Sequence, residues 1–400
     1  MKSPWKKQFP ARNNMNHAGK VGTHYLDSAA TTQVPQSVIK SINQYLTNGY
    51  ENPGRGSYSQ SELATLAIQD CRSKVASFIQ CETEQVIFTK GATESINLVA
   101  HSFESSLSSE DSILVTTQEH HANLLPWQRL CELTGAQLNL LSITPSGELD
   151  ISNLAQHLNA NCKLFAFTHC SNVIGFTNSV KELCELAKTE GVPTLIDGAQ
   201  AVSHTSIDMK EYDCDFYAFS GHKLYASGGS GVLYAKEPKK LEPLLLGGGI
   251  VKQVKSDEYI LLEDHQKLEA GSSNMVALTG LSSAIDFIQS IGISNIANYE
   301  KELTFELFKA INNLKNFNII SHPNSANIVS FFHSNIDCLD IASVLAELGI
   351  SIRAGHHCAQ PCVNALGVKH CLRASIGLYN DMDDIDALIK GLKHAELVLQ

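Results

Sequence analysis

Four hundred residues, 43% hydrophobic and 18% charged, describe a soluble globular chain too long for one ordinary core, so two domains are expected. A formal charge of −11 excludes nucleic acid as a main partner, because phosphate neutralisation needs clustered Lys and Arg. No apolar run reaches the length of a membrane span and residues 2–8 lack the apolar core of a secretion signal, so the chain is expected to stay in the cytoplasm. Its eleven cysteines, odd in number and scattered from Cys71 to Cys371, suit a reducing compartment rather than a disulfide framework.

In chain order, about twenty polar and unpatterned residues come first and read as an arm against another part of the molecule. The fold is expected to begin at residues 23–27. Pro35 opens a helix whose apolar positions Val38, Ile39, Ile42, Tyr45 and Leu46 keep helical spacing until Asn48 and Gly49. After a loop at 50–56, Ser59 and Glu62 form a capping-box pattern ahead of a long helix through Phe78. Between residue 85 and about 235, seven short apolar runs (85–89, 112–116, 137–141, 163–168, 194–197, 216–219 and 231–235) alternate with amphipathic helices. That alternation predicts a largely parallel seven-stranded sheet with helices on both faces, and Gly135 and Gly191 fall where helix C-caps belong. The polar stretch from 247 to about 264 reads as a loop near the site or a subunit contact. Helices over 277–290 and 293–314 lead to a smaller α+β layer: strands 317–320 and 328–332, helix 339–348, strands 350–353 and 372–378, and a last helix 382–399. The expected division is a large α/β domain over 22–285 and a small α+β domain made of 286–400 together with the N-terminal arm 1–21.

The chemistry gathers around Asp215-Phe-Tyr-Ala-Phe-Ser-Gly-His-Lys223, a buried strand that delivers a lysine to the sheet edge where open α/β folds bind ligands. Desolvated there, the amine can attack a carbonyl such as that of pyridoxal phosphate. A lone lysine after a strand is more often a solvated surface residue, but two other segments change the balance. Asp197 ends a second apolar strand and offers the acid that keeps a pyridine nitrogen protonated. Residues 86–91 followed by 92–100 read as strand, glycine turn and helix, whose first amides, at Ala92 and Thr93, would receive a phosphate. A lysine, an acid and an anion cradle together specify that cofactor.

Taken together, Tyr25-Leu-Asp-Ser-Ala-Ala30, Gly91-Ala-Thr-Glu-Ser95, Glu119-His-His-Ala-Asn123, Asp197-Gly-Ala-Gln200, Ser220-Gly-His-Lys-Leu-Tyr225 and Arg353-Ala-Gly-His-His-Cys-Ala359 resemble the group II cysteine desulfurases. These are class V aminotransferase-fold enzymes that include the Suf-type proteins and the cysteine sulfinate desulfinases, and the resemblance runs from about residue 20 to the end. It implies an α/β fold of the type I, aspartate aminotransferase-like, pyridoxal-phosphate-dependent transferases, and a homodimer. It further implies pyridoxal 5'-phosphate joined to Lys223, with Asp197 at the ring nitrogen, Gln200 at the phenolic oxygen, and Ala92, Thr93, Ser220 and His222 at the phosphate. His120 is implied to cover the ring and move protons, for which a near-neutral imidazole is suited.

By the same resemblance Asn172 and Arg373 hold the substrate carboxylate, with Arg353 beside them; a guanidinium fork suits that task, and a structural salt bridge is the alternative for Arg373. Cys358, flanked by Arg353, His356 and His357, is implied to take sulfur from L-cysteine as a persulfide, leaving L-alanine. The implied partner is a sulfur-acceptor protein of the SufE/CsdE kind, in sulfur mobilisation such as iron–sulfur cluster assembly. Three segments depart from the family pattern: Gly54-Arg-Gly for His-Arg-Gly, Ala226-Ser-Gly-Gly for Gly-Pro-Thr-Gly, and Ser272-Ser273 for Thr-Pro, where the family receives a phosphate contact from the neighbouring subunit. Ser272 still offers a hydroxyl. Cysteine sulfinate or selenocysteine as the main substrate stays open, since Gln360-Pro361 resembles the desulfinase branch. So does a non-catalytic sulfur-carrier or metal-binding protein using His356, His357, Cys358, Cys362, His370 and Cys371, although no Cys-x-x-Cys pair is present.

Overall fold

A computed structural model describes residues 1–13, 24–54 and 56–400. Thr23, the later part of the N-terminal arm and Arg55 of the Gly54–Gly56 departure lie outside the described residues. A two-residue strand, β1 (His24–Tyr25), precedes the central sheet. That sheet is built from β2 (Val86–Thr89), β3 (Ser112–Thr116), β4 (Gln137–Leu141), β5 (Cys162–Thr168), β6 (Thr194–Asp197), β7 (Phe216–Ser220) and β8 (Gly231–Ala235), the seven runs expected from the apolar pattern. Their order is β2-β8-β7-β6-β5-β3-β4. Only β8 runs antiparallel to its neighbours, so β2 points the same way as the other five.

Burial explains why these runs are strands. Every residue of β3, β6 and β8 is buried, as expected when helices cover both faces. The edge strand β4 instead exposes Gln137 and Leu140. One face packs under Ala92–Phe103 and Leu125–Thr134, the other under Ser59–Ile79, Val180–Thr189 and Met275–Ile291. Because β3 leads outward to β4 while β5 leads back toward β6 and β7, loops diverge at the carboxyl ends of β3 and β5. That divergence opens the crevice where doubly wound sheets bind ligands.

Beyond the sheet come a hairpin, β9 (Val251–Val254) with β10 (Tyr259–Leu261), and then an antiparallel four-stranded sheet. It is formed by β11 (Phe317–Ile319), β12 (Ile328–His333), β14 (Arg353–Gly355) and β15 (Cys371–Ser375) in the order β11-β12-β15-β14. The intervening β13 (Ile350–Ser351) pairs with β1 in parallel. Helices Ile293–Asn312, Cys338–Glu347 and Met382–Leu399 cover this second sheet, and one apolar cluster runs from Phe165 and Phe219 to Phe331 and Leu388. Among the described residues no single helix is long and apolar enough to cross a membrane.

Several expectations are corrected. Ser59 is not an N-cap: the helix Ser59–Ile79 is capped by Tyr58 without a side-chain bond, because Ser59 Oγ turns to Gln60 Oε1. The stretch read as a loop holds the β9–β10 hairpin, whose Val-Lys-Gln-Val and Tyr-Ile-Leu runs were hidden by the charged turn between them. The strand expected over 350–353 divides between two sheets, and the one expected over 372–378 ends at Ser375. There the backbone leaves the ladder, Ile376 N donating to Asn327 O, and passes Ser28 so closely that a Cβ on Gly377 would lie 2.9 Å from its Oγ. The arm is not uniformly polar either. Phe9 is fully buried against Tyr225, Phe287 and Tyr379, and Trp5 meets Tyr299 edge-on.

Candidate active site

The loops that follow β2, β3, β5, β6 and β7 line one cavity of about 320 Å³, closed by Arg353 and Arg373 of the second sheet and by His357 and Cys358 of the loop after β14. Lys223 ends the tight turn Gly221–Lys223 after β7. The N-terminal loop straps this turn: Thr32 N and the hydroxyls of Thr31 and Thr32 donate to His222 O, and Tyr225 N donates to Thr32 Oγ1. Tyr225 itself is left-handed, at φ 61°, which a bulky residue adopts only when its surroundings hold it. They do so at its hydroxyl, which donates to Glu300 Oε1 at 3.0 Å and accepts from Leu378 N at 3.1 Å. Glu300 also meets His204 Nδ1 at 2.7 Å, and His204 Nε2 lies 2.7 Å from Gln200 O. A buried chain therefore joins the turn carrying Lys223 to the turn carrying Gln200.

Burial pushes the Lys223 amine down to about 8, against the pull of Asp197. Asp197 lies at the end of β6 with Oδ1 accepting from Ala199 N at 3.0 Å; burial raises its carboxyl above the usual range, and that hydrogen bond and Lys223 oppose the rise. His120 accepts from Ala122 N through Nδ1 at 3.0 Å, so the neutral ring carries its proton on Nε2. Burial, helped by Lys223, pushes its pKa down to about 4. The adjacent Glu119 is fully buried and accepts from Thr168 N at 2.9 Å, the Thr116 hydroxyl and the Asn123 amide, which fixes the turn that aims His120.

At the opposite end, the helix Ala92–Phe103 begins without a side-chain cap, and Ala92 N donates to Ser220 Oγ at 2.8 Å. Thr93 and His222 stand beside this helix start, where backbone amides and the helix dipole favour an anion. A Cβ on Gly231 would lie 2.3–2.6 Å from the Gly91 backbone, so β8 reaches the turn only as glycine.

Arg373 is nearly fully buried; its Nη1 donates to Asn172 O at 2.9 Å, and its Nε has no partner among the described residues. Asn172 and Arg373 are thus neighbours, but the Asn172 amide donates to His357 O at 2.7 Å and so also braces the cysteine loop. His357 and Cys358 are both left-handed, at φ 54° and 56°. His121 N donates to Cys358 O at 2.6 Å, which clamps the loop to the turn that carries His120. Cys358 is the one exposed cysteine of eleven free ones. Among the described residues no group of three or more His, Cys, Asp and Glu side chains is arranged to hold a metal ion. His357 Nε2 instead approaches Cys371, and burial pushes the Cys362 thiol up to about 12.

Of the expected site residues, Ser272 alone lies elsewhere, in a separate cleft with Asn52, Gly248 and Gly249. Asp27, an acid of the Tyr25–Ala30 segment to which the resemblance attaches no role, pairs through its carboxylate with both Arg353 and Arg373.

Residues 24–388 match the family described as Aminotransferase class-V. The chain belongs to the class-V aminotransferases. This family member is 40% identical over 380 residues, 94% of either chain, to a cysteine desulfurase of Serratia proteamaculans, and 38% identical over 380 residues to one of Yersinia pestis. Among solved structures, it resembles the cysteine desulfurase CsdA of Escherichia coli, in an S-sulfonic acid form, with TM-score 0.92 and 32% identity over 99% of this chain and 98% of that one. The apo cysteine desulfurase of Thermococcus onnurineus matches with TM-score 0.92 and 33% identity over 100% and 98%. The class-V chain has the type I transferase fold, as the sequence implied. Its cavity also fits pyridoxal phosphate: a buried carboxylate for the ring nitrogen, a desolvated amine beside it, and an uncapped helix start flanked by Ser220 and His222 for the phosphate.

Proposed function

We propose that the protein is a pyridoxal-phosphate-dependent cysteine desulfurase, converting L-cysteine to L-alanine and carrying the sulfur on Cys358. The observation that carries this reading is that Lys223, Asp197 and the exposed Cys358 line a single cavity. When bound, pyridoxal phosphate supplies an aldehyde that an amine can join and a ring that accepts electrons from the adjacent carbon. Asp197 holds the proton that the ring nitrogen needs, and the start of helix Ala92–Phe103, with Thr93, Ser220 and His222, receives the phosphate. Gln200 Nε2, which donates to Ala29 O at 2.7 Å, keeps its second hydrogen for the phenolic oxygen.

Arg373 receives the substrate carboxylate with the aid of Arg353, its Nε, unpartnered among the described residues, being a donor left open for an anion. Lys223 Nζ, its pKa brought down to about 8, accepts the proton from the α-carbon. His120, neutral through burial, covers the ring and passes a proton through Nε2. Cys358 Sγ then bonds to the substrate sulfur as the substrate's carbon–sulfur bond breaks; the electron pair stays with carbon, which takes a proton and leaves as alanine. The exposure of Cys358 lets an acceptor protein's thiol remove the sulfur afterwards. The working unit is a homodimer in which the partner copy supplies the Ser272 hydroxyl, and the eleven free cysteines support a reducing, cytoplasmic setting.

The test is to load purified protein with pyridoxal phosphate, add cysteine, and measure alanine together with an added sulfur atom on the Cys358 peptide. Alanine without sulfur on Cys358 would remove that residue's role, and no alanine would remove the activity.

A further inference from the structure

Cys358 belongs to the chain between β14 and β15, yet two bonds that hold its backbone come from loops of the central sheet. Its carbonyl accepts from His121 N at 2.6 Å, in the turn after β3, and the carbonyl before it, His357 O, accepts from the Asn172 amide at 2.7 Å, in the loop after β5. Both residues are left-handed, at φ 54° and 56°, and a pair of residues with side chains stays so only where neighbours fix the peptides on either side. Just downstream, Ala359, Cys362 and Val363 pack against Val173 and Ile174, again of the loop after β5. The cysteine is thus joined to the second sheet by sequence and to the first by contact.

One contact of this clamp depends on a side chain that the chemistry above does not use. The helix Gln360–Ala365 begins two residues after the cysteine, its N-cap Ala359 has no side chain that can accept a hydrogen bond, and Pro361 has no N–H to satisfy. Gln360 N, the first free amide, donates instead to His121 Nε2, a long bond of 3.4 Å. Burial and the neighbouring His356 lower the His121 pKa, so the neutral ring can keep Nε2 as an acceptor. His121 therefore meets the loop twice, through its main-chain N–H at Cys358 O and through its ring at Gln360 N. Given the desulfurase reading above, we propose that His121 is a positioning residue for the sulfur-transfer step: its ring, by capping Gln360 N, holds the left-handed Cys358 loop in the conformation that presents Sγ to the substrate sulfur. The bond to Cys358 O survives any substitution at 121, so a variant there isolates the ring.

Two routes to alanine separate this role from a merely structural one. With cysteine, Cys358 Sγ bonds to the substrate sulfur as the carbon–sulfur bond breaks, and the electron pair stays with carbon. Cysteine sulfinate needs no thiol, because its group can leave as sulfur dioxide with the same pair left on carbon. A misplaced Cys358 slows the first route and spares the second.

The experiment uses the cofactor-loaded protein and follows three quantities: alanine from cysteine and from cysteine sulfinate, sulfur added to the Cys358 peptide in a single turnover, and amide hydrogen exchange over residues 359–365. His121→Phe, which keeps a ring and removes the acceptor, is expected to lower kcat for cysteine and the rate of sulfur loading roughly tenfold, a misplacement of about 1 Å being able to cost ~100-fold. KM for cysteine, alanine from the sulfinate and the cofactor absorbance should stay near wild type, while exchange over 359–365 quickens. His121→Gln, whose side-chain oxygen can accept the same N–H, should bring sulfur loading and exchange back toward wild type. His121→Ala carries the same expectation as His121→Phe and replaces it if the larger ring prevents folding. Equal losses with cysteine and the sulfinate overturn the inference, as do sulfur loading at the wild-type rate without the acceptor and a His121→Gln protein no better than His121→Phe. Wild-type protein that makes alanine from neither substrate removes the desulfurase reading, and the inference with it.

Discussion

Lys223 is set apart from the other lysines by where it is buried rather than by its sequence neighbours. Its pKa is pushed down to about 8 by burial, so the fraction present as neutral amine rises as pH approaches and passes that value. Cofactor-free protein should accordingly take up pyridoxal phosphate faster as pH is raised through about 8, followed by absorbance in stopped flow; a flat profile would mean that the amine is not the group being titrated. Lys223→Ala should abolish alanine formation, by roughly 10²–10⁴-fold or more for the lost proton transfer alone, while thermal melts stay near wild type. Cys358→Ser tests a different step. A serine hydroxyl does not ionise near neutrality and cannot take sulfur, so alanine from cysteine should collapse while the cofactor spectrum is unchanged. Because Cys358 is exposed, that change removes little packing and any loss of stability would be unexpected.

The turn after β7 is held in its strained form by elements distant in sequence. Tyr225 keeps a left-handed backbone because Glu300, from the helix Ile293–Asn312, and Leu378 fix its hydroxyl, and Glu300 is paired with His204. Burial alone would lower the His204 pKa, but the charge and hydrogen bond of Glu300 raise it above the ordinary value of 6.5. A base with a raised pKa in the folded state contributes stability in full below its unfolded value and loses it as pH climbs through the folded value. The melting temperature of wild type should therefore exceed that of His204→Gln most at mildly acidic pH, with the gap narrowing as pH rises above neutrality. Breaking such a buried pair costs roughly 3–5 kcal/mol. A gap independent of pH would show that His204 does not titrate as part of the pair. The cofactor end should register the change too, since His204 also meets Gln200 O.

At the level of the whole molecule, the hairpin exposes Val254, Tyr259 and Ile260, with Leu245 and Leu246 exposed just before it, while Ser272 faces a cleft away from its own Lys223. A second copy covering these groups would account for both features, and hydrophobic residues concentrated outside the core suit such a contact. Dilution should then lower cofactor occupancy in step with loss of dimer mass in sedimentation, and Ser272→Ala should weaken cofactor binding without changing that mass. Occupancy that persists in the monomer would assign the phosphate wholly to Ala92, Thr93, Ser220 and His222 of one chain.

The seven strands of the central sheet were legible in the sequence because each is a short run of apolar residues buried on both faces, so local composition and final burial agree. Lys223 and Asp197 were legible for a related reason: each stands at or just past the end of such a run, and the parallel sheet carries both ends to one edge. What one chain's pattern did not carry were features decided by contacts between distant segments. The β9–β10 hairpin is exposed along nearly its whole length, so no buried apolar face marks its strands, and the strand at 350–355 divides between two partners whose positions the local residues do not encode. Asp27 is the clearest case. As a single acid after Tyr25 and Leu26 it has no periodicity to mark it, and its place between Arg353 and Arg373 arises only when β1, β13 and β15 meet. The sequence determined which residues could do the chemistry, because residue type and strand ends are local properties; the tertiary structure decided which charges face one another, because electrostatic pairing depends on distances that only packing sets.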